Sequence, residues 1–255
     1  MSSNGLLRVG LATALTLLGL TLLLGCATHA PDSGFLENPK LMSTQEGAPF
    51  QRTYWNRKFD PASYTELCVA PVNTDYVMAQ TFWEKANRAG IDPQQVKHDV
   101  AAIALYTRES FVRAATDDPK HRFKVVDKPG KQTLILEVAI VQLLPSKAVL
   151  NAIGHTTWTP GSIALRHRTL LESRDAGRGT VAIEGRVRDG ASGEVIGMFS
   201  DLQHPATAII DLRALNWWAP AKAIIDRWSH ELITLANRPA GTVVKDAPPF
   251  ELLVW

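Results

Sequence analysis

The order of hydrophobic patterns along this chain predicts an α+β fold: a mostly antiparallel sheet with helices packed on one face, forming a two-layer sandwich. Three observations carry that reading. A short apolar run near residue 67 is followed by a capped amphipathic helix. A series of strand-like segments punctuated by Gly and Pro turns comes next, and a second amphipathic helix follows it. Strands that pair with sequence neighbours, flanked by helices, bury one sheet face against a helical layer. An export signal and a flexible tether are expected ahead of this domain.

The first strand is expected at Leu67–Val72, within Glu66-Leu-Cys-Val-Ala-Pro-Val. A mixed stretch around Trp83 leads to Asp92-Pro93-Gln94-Gln95. Here Asp92 suits a helix N-cap, Pro93 the first helical position, and Gln95 the reciprocal place of a capping box. Val96, Val100, Ile103, Ala104 and Phe111 then recur at helical spacing, giving one apolar stripe for a sheet.

Arg122–Asp127 and Gln132–Leu144 read as two strands joined by a turn at Lys128-Pro129-Gly130. The second is almost continuously apolar, as a central strand covered on both faces would be. Thr180–Arg188 and Glu194–Asp201 flank Asp189-Gly-Ala-Ser-Gly193 and read as a hairpin. Val181, Ile183 and Val187 would face the core, with Ala182, Glu184, Arg186 and Arg188 on a wetter face. The last helix is expected over Trp218–Ala236. Ala221, Ile225, Trp228, Leu232 and Leu235 mark its buried side, and Asn237 and Pro239 its end. Between Pro145 and Gly179 only Ile163–Leu171 has a helical pattern.

The start of the chain has a different character. Arg8 is followed by an apolar run from Leu11 to Leu24, shorter than the roughly 20 residues of a bilayer span. It ends at Leu23-Leu24-Gly25-Cys26, which looks like the lipobox of bacterial lipoproteins. A diacylglyceryl group on the Cys26 sulfur and cleavage before it would leave Cys26 as the acylated first residue, carrying chains such as palmitate. Several acyl chains, at roughly 0.8 kcal/mol per buried methylene, give near-permanent membrane attachment. Ala27 and Thr28, rather than Asp, follow the cysteine and resemble the default signal for the outer membrane, facing the periplasm, in a Gram-negative host. The expected organisation is residues 1–25 signal, 26–57 tether rich in Pro, Ser, Gly and Asn, 58–240 one domain, and 241–255 tail.

Composition narrows the function classes. A net charge of +2 in 255 residues, with no dense Lys/Arg run, gives nucleic acid no electrostatic footprint. Of the two cysteines, an acylated Cys26 would leave Cys68 an unpaired thiol, expected as a small apolar core residue. The seven histidines are His29, His98, His121, His155, His167, His204 and His230. None forms a His-x-x-x-His pair, so neither a metal site nor a cofactor is expected. Gly154-His155 and Gly161-Ser162 lack the surroundings of a nucleophile elbow, and no catalytic residue is assigned. Glu137 and Glu184 stand out as carboxylates within apolar strands. They could form a cleft pair, but are expected on a solvent face or edge, paired across strands with Arg186 or Arg188. Trp217, Trp218 and Trp255 could form an interface or rest on a membrane, with packing the simpler role. The tail Phe250–Trp255 could add to a sheet as a strand.

Four strings occur in a familiar order. They are Ser33-Gly-Phe-Leu36, Asp60-Pro-Ala-Ser-Tyr64, Val125-Val-Asp-Lys-Pro-Gly130, and Ile183-Glu-Gly-Arg-Val-Arg-Asp189 with Ser192-Gly-Glu194. Together they resemble a family of bacterial lipoproteins known as domain of unknown function thirty-three-thirteen, over roughly Ser33–Ala236. The resemblance implies a lipid-anchored envelope protein and no assigned reaction. The combined expectation is a non-catalytic outer-membrane lipoprotein. It would hold membrane lipid through acylated Cys26 and bind or help assemble an envelope protein partner. A lipid-anchored hydrolase and a carrier of a small apolar ligand are the alternatives.

Overall fold

The computed structural model describes residue 30 and residues 32–45, 48–78, 92–144, 180–204 and 218–238. Six strands form one sheet among these residues: β1 Arg52–Trp55, β2 Glu66–Val69, β3 Lys124–Val125, β4 Thr133–Leu144, β5 Thr180–Asp189 and β6 Val195–Gln203. Their spatial order is β1-β6-β5-β4-β2-β3. The helices are α1 Asp75–Met78, α2 Pro93–Thr116 and α3 Ala219–Ala236. The α+β expectation holds, with a sheet that is mixed: β1, β6, β5 and β4 pair antiparallel, while β2 runs parallel to both β4 and β3. Lys128-Pro129-Gly130 therefore does not close a hairpin. It returns the chain past β2, because the two-residue β3 pairs with β2 and not with β4.

Helix α2 starts where the sequence places it, with the Asp92 carboxylate accepting from the Gln94 amide at 2.9 Å. The capping box is not completed: Gln95 turns forward and donates to Asp99 instead. Val96, Val100, Ile103 and Phe111 are buried against the sheet. The stripe also takes in Thr107, whose hydroxyl is satisfied by the Ile103 carbonyl at 2.7 Å. In α3, Ala221, Ile225 and Trp228 face the core as expected. Ile224 and Ile233 join them, while Leu232 and Leu235 are only half-buried. Asn237 closes the helix, its N–H bonded to the Ile233 carbonyl.

The main core lies between α2, α3 and one sheet face, and Trp228, Phe111, Ile103, Phe50 and Ile183 in it are nearly inaccessible. The hairpin β5–β6 turns at Asp189–Gly193 as read from the sequence, with Gly193 at φ +73°. Close packing explains Gly185: a Cβ there would lie 2.0 Å from the Phe199 ring, which stacks on Phe50 at 4.5 Å.

The opposite sheet face overturns part of the sequence reading. Ala30 and the described residues that follow it, expected as tether, are built into the fold. Ala30, Phe35, Leu36 and Met42 pack on Ala139, Val141, Ala182 and Met198. Ser43 exchanges both backbone hydrogen bonds with Thr53 of β1, and β1 itself pairs with β6. This strap has no periodicity because it crosses the strands irregularly, and its apolar side chains dock one by one. The small side chains of Ala139 and Ala182 let it approach. The face expected to be wetter is therefore mostly dry, and residues Thr180–Gly185 are all buried. The Trp83 stretch, Pro145–Gly179 with Ile163–Leu171, and the tail 241–255 lie outside the described residues.

Candidate functional site

Two polar constellations stand out: the joints that hold the strap, and a cleft between the helices. At the strap, Glu184 projects from β5 under Ser33 and is wholly inaccessible to solvent. Its carboxylate accepts the Ser33 amide at 3.2 Å and the Ser33 hydroxyl at 2.6 Å. Burial pushes the Glu184 carboxyl above the usual range, outweighing the Ser33 hydrogen bonds. Glu184 is thus not a solvent-face residue, and its arginine neighbour is Arg52 rather than Arg186 or Arg188; the strap that buries it is invisible to the pattern. Glu137 fits the expectation, bonded from β4 to the guanidinium groups of both Arg186 and Arg188. Burial pushes its carboxyl up, but the two arginines outweigh this and hold it below the usual range. The sheet puts Glu137 and Glu184 on one face, yet each has its own partners and they form no catalytic pair.

Glu37 of the strap joins the same network through Arg186 at 3.0 Å and through Arg188. The Phe35 ring lies under the Arg186 guanidinium at 4.4 Å, and the Phe35 carbonyl accepts from that group at 2.7 Å. Nearer the start of the strap, Arg52 of β1 pairs with Asp32 at 2.5 Å. At the hairpin end, Asp189 accepts the amides of Ala191 and Ser192 and the hydroxyl of Tyr64 at 2.9 Å. That buried contact raises the Tyr64 hydroxyl to about 12, desolvation being the first cause and the Asp189 bond the second. The strings beginning at Ser33, Asp60 and Ile183 therefore meet in space, Ser33 and Phe35 on β5 and Tyr64 on its end.

The cleft, about 570 Å³, lies between the C-terminal halves of α2 and α3. The two helices run side by side in the same direction. At its centre Asp226 accepts the Tyr106 hydroxyl at 2.7 Å, the Ser110 hydroxyl, and Arg113 at 3.4 Å. Desolvation first, and the Asp226 bond second, push the Tyr106 hydroxyl to about 12. Deeper in, Asp118 accepts the Arg122 and Lys120 amides and the Asn237 side chain. Burial raises its carboxyl, and these donors outweigh that to hold it below the usual range. Ser110 gives its proton to a carboxylate rather than to an imidazole, so it is not arranged as an activated nucleophile. His230 lines the cleft but is exposed. Ala114, Pro119 and Ile233 share the lining with these polar groups, so the recess is partly apolar.

The other sequence candidates are dispersed. Cys68 is half-buried between core residues Leu67 and Val69, rather than in the core itself, because alternation along β2 turns it to the other face. Burial raises its thiol. His98 is exposed near Asp99 at 3.8 Å, and His204 lies 3.5 Å from Thr180. Trp218 is buried and packs against Tyr106. Leu23, Leu24, Gly25, Cys26, Ala27, Thr28, His29, His155, Ser162, His167, Trp217 and Trp255 lie outside the described residues. No group of three or more His, Cys, Asp or Glu side chains among the described residues is placed to hold a metal. No described helix is long and apolar enough to cross a membrane.

A sheet with helices on one face, a strap on the other and arginine–carboxylate joints beneath it defines a small α+β domain of mixed sheet topology. The chain belongs to the family described as "Protein of unknown function (DUF3313)", whose family model matches residues 31–232. No curated protein matches it. Among solved structures it is similar to the PelC dodecamer from Paraburkholderia phytofirmans, at 10% identity and a TM-score of 0.36. That match covers 71% of this chain and 94% of the other. A leucine-to-methionine variant of the same dodecamer, in another crystal form, matches at 8% identity and a TM-score of 0.36, covering 71% of this chain and 97% of the other.

Proposed function

We propose that this chain is a lipid-anchored outer-membrane lipoprotein facing the periplasm, whose α+β domain binds or helps assemble another envelope component without catalysis of its own. The observation that carries the reading is the burial of the first described residue. Ala30 is 2% exposed and stands four residues after Cys26 in Leu23-Leu24-Gly25-Cys26. Four residues span at most about 14 Å. A domain joined so closely to its lipid works at the membrane surface, not at the end of a long leash. The cleft and sheet supply binding surfaces, and the joints around Glu184 and Glu137 serve architecture.

Neither rival gains a supporting observation. A hydrolase asks for a Ser whose proton goes to a His, and although Ser110, His230 and Asp226 share the cleft, the Ser110 hydroxyl donates to Asp226. An apolar ligand carrier asks for a cavity where Trp228 and Phe111 fill the core. Crosslinking in intact cells, then purification in detergent, tests the proposal. Capture of a defined envelope protein by the wild type, and its loss from a Cys26→Ala chain, is the expected result. Recovery of the uncrosslinked chain alone under every growth condition contradicts it.

A further inference from the structure

The cleft between α2 and α3 holds side chains that the fold itself leaves unengaged. On its α3 wall His230, Thr234 and Asn237 stand at i, i+4 and i+7, one stripe along the helix and its C-cap. The His230 ring is exposed and the Thr234 hydroxyl half-buried, and neither makes a hydrogen bond among the described residues. The Asn237 amide donates to Asp118 at 2.8 Å, which fixes its orientation, and its buried Oδ1 meets no donor. A buried acceptor without a donor is costly. Arg113, Lys120 and Arg238 balance Asp117, Asp118 and Asp226, so the lining has no net charge to select an ion. At about 570 Å³ the cleft falls within the roughly 300–1,000 Å³ of small-ligand sites. Such a lining suits a neutral ligand whose closely spaced groups both donate and accept, with C–H surface beside them. A hydroxyl does both, and an imidazole donates at one nitrogen and accepts at the other. Adjacent hydroxyls of a sugar ring meet such side chains in pairs, while the ring's C–H face lies on aliphatic surface. A peptide amide holds its donor and acceptor on opposite sides and needs open backbone partners, which helical backbone does not offer.

We propose that this cleft binds a neutral saccharide unit, with His230 and Thr234 hydrogen-bonded to its hydroxyls and Ala114 and Ile233 against its C–H face. The proposal rests on the reading of the domain as a binding module and names its ligand class; it does not depend on the lipid anchor. The full chain, purified in a polyoxyethylene detergent free of sugar, is titrated by saturation-transfer NMR with cellotriose, maltotriose and N,N′-diacetylchitobiose. Trialanine and trigalacturonate are the neutral-peptide and anionic-sugar comparisons. At least one neutral saccharide should bind with a Kd of about 1 mM or tighter. Thr234→Val and His230→Leu should each weaken that binding about five-fold, as loss of a hydrogen bond predicts, with unchanged circular dichroism. Either variant suffices if the other does not fold. No neutral saccharide bound at about 10 mM, tighter binding of either comparison, or wild-type affinity in a folded variant overturns the proposal. Crosslinking can capture a protein partner whatever the saccharide result, so the two readings fail separately.

Discussion

At the scale of single residues, the two carboxylates that stand out in the strands behave oppositely. Glu184 has a raised folded-state pKa. Between its unfolded value and that raised value the folded state holds the extra proton, so its contribution makes stability fall as pH rises through this window. Glu184→Gln should therefore match wild type in acid and gain on it as pH rises above about 4.5, read by urea denaturation across pH 4–8. A difference between the two that stays flat over that range contradicts burial of Glu184. Glu137 has a lowered pKa. Its stabilisation is complete above the unfolded value and is lost as pH falls through the folded one, so Glu137→Gln should cost about 1–2 kcal/mol near neutrality and less in acid. The core has its own sensitive contact, the Trp228 indole N–H donating to buried Asp201 at 2.6 Å. Trp228→Phe removes that donor and should cost about 1–3 kcal/mol in chemical denaturation.

At the scale of elements, what the sequence makes legible is what has a period. The helix beginning at Asp92, the Asp189–Gly193 hairpin and the long central strand all lie close to where alternation and capping place them. Two things escape. Strand β3 is two residues long, and nothing in its alternation tells that β2 lies between it and β4. The strap escapes because its docking residues follow neither a helical nor a strand repeat. Its one legible trace is the string Ser33-Gly-Phe-Leu36, two of whose residues reach β5. Glu184 is misplaced for that reason alone: alternation says which side of the sheet it faces, not what covers that side. Gly185 shows how tightly the strands are committed to their register. Gly185→Ala should destabilise by about 1–3 kcal/mol through collision with Phe199, and Phe199→Leu should recover part of that loss in a double-mutant cycle. Additive losses would contradict the contact.

At the scale of the whole molecule, the strap changes the meaning of the N-terminal region. The expected boundary at residue 57 places a domain on a tether of some thirty residues. The buried Ala30 leaves only the residues just after Cys26 to span the gap. The strap also completes the second sheet face, so Phe35→Ala should lower stability by about 3 kcal/mol, as for other buried Phe truncations. An unchanged denaturation midpoint would mean that the strap is not docked in solution. The anchor reading depends on the state of Cys26. Mass spectrometry of the N-terminal peptide from the protein made in its own envelope reads that state directly. Lipid anchoring predicts a chain that begins at Cys26 and carries acyl mass, with an uncleaved and unacylated precursor in Cys26→Ala. A wild-type chain that keeps Met1, or that begins elsewhere without acyl mass, would contradict it.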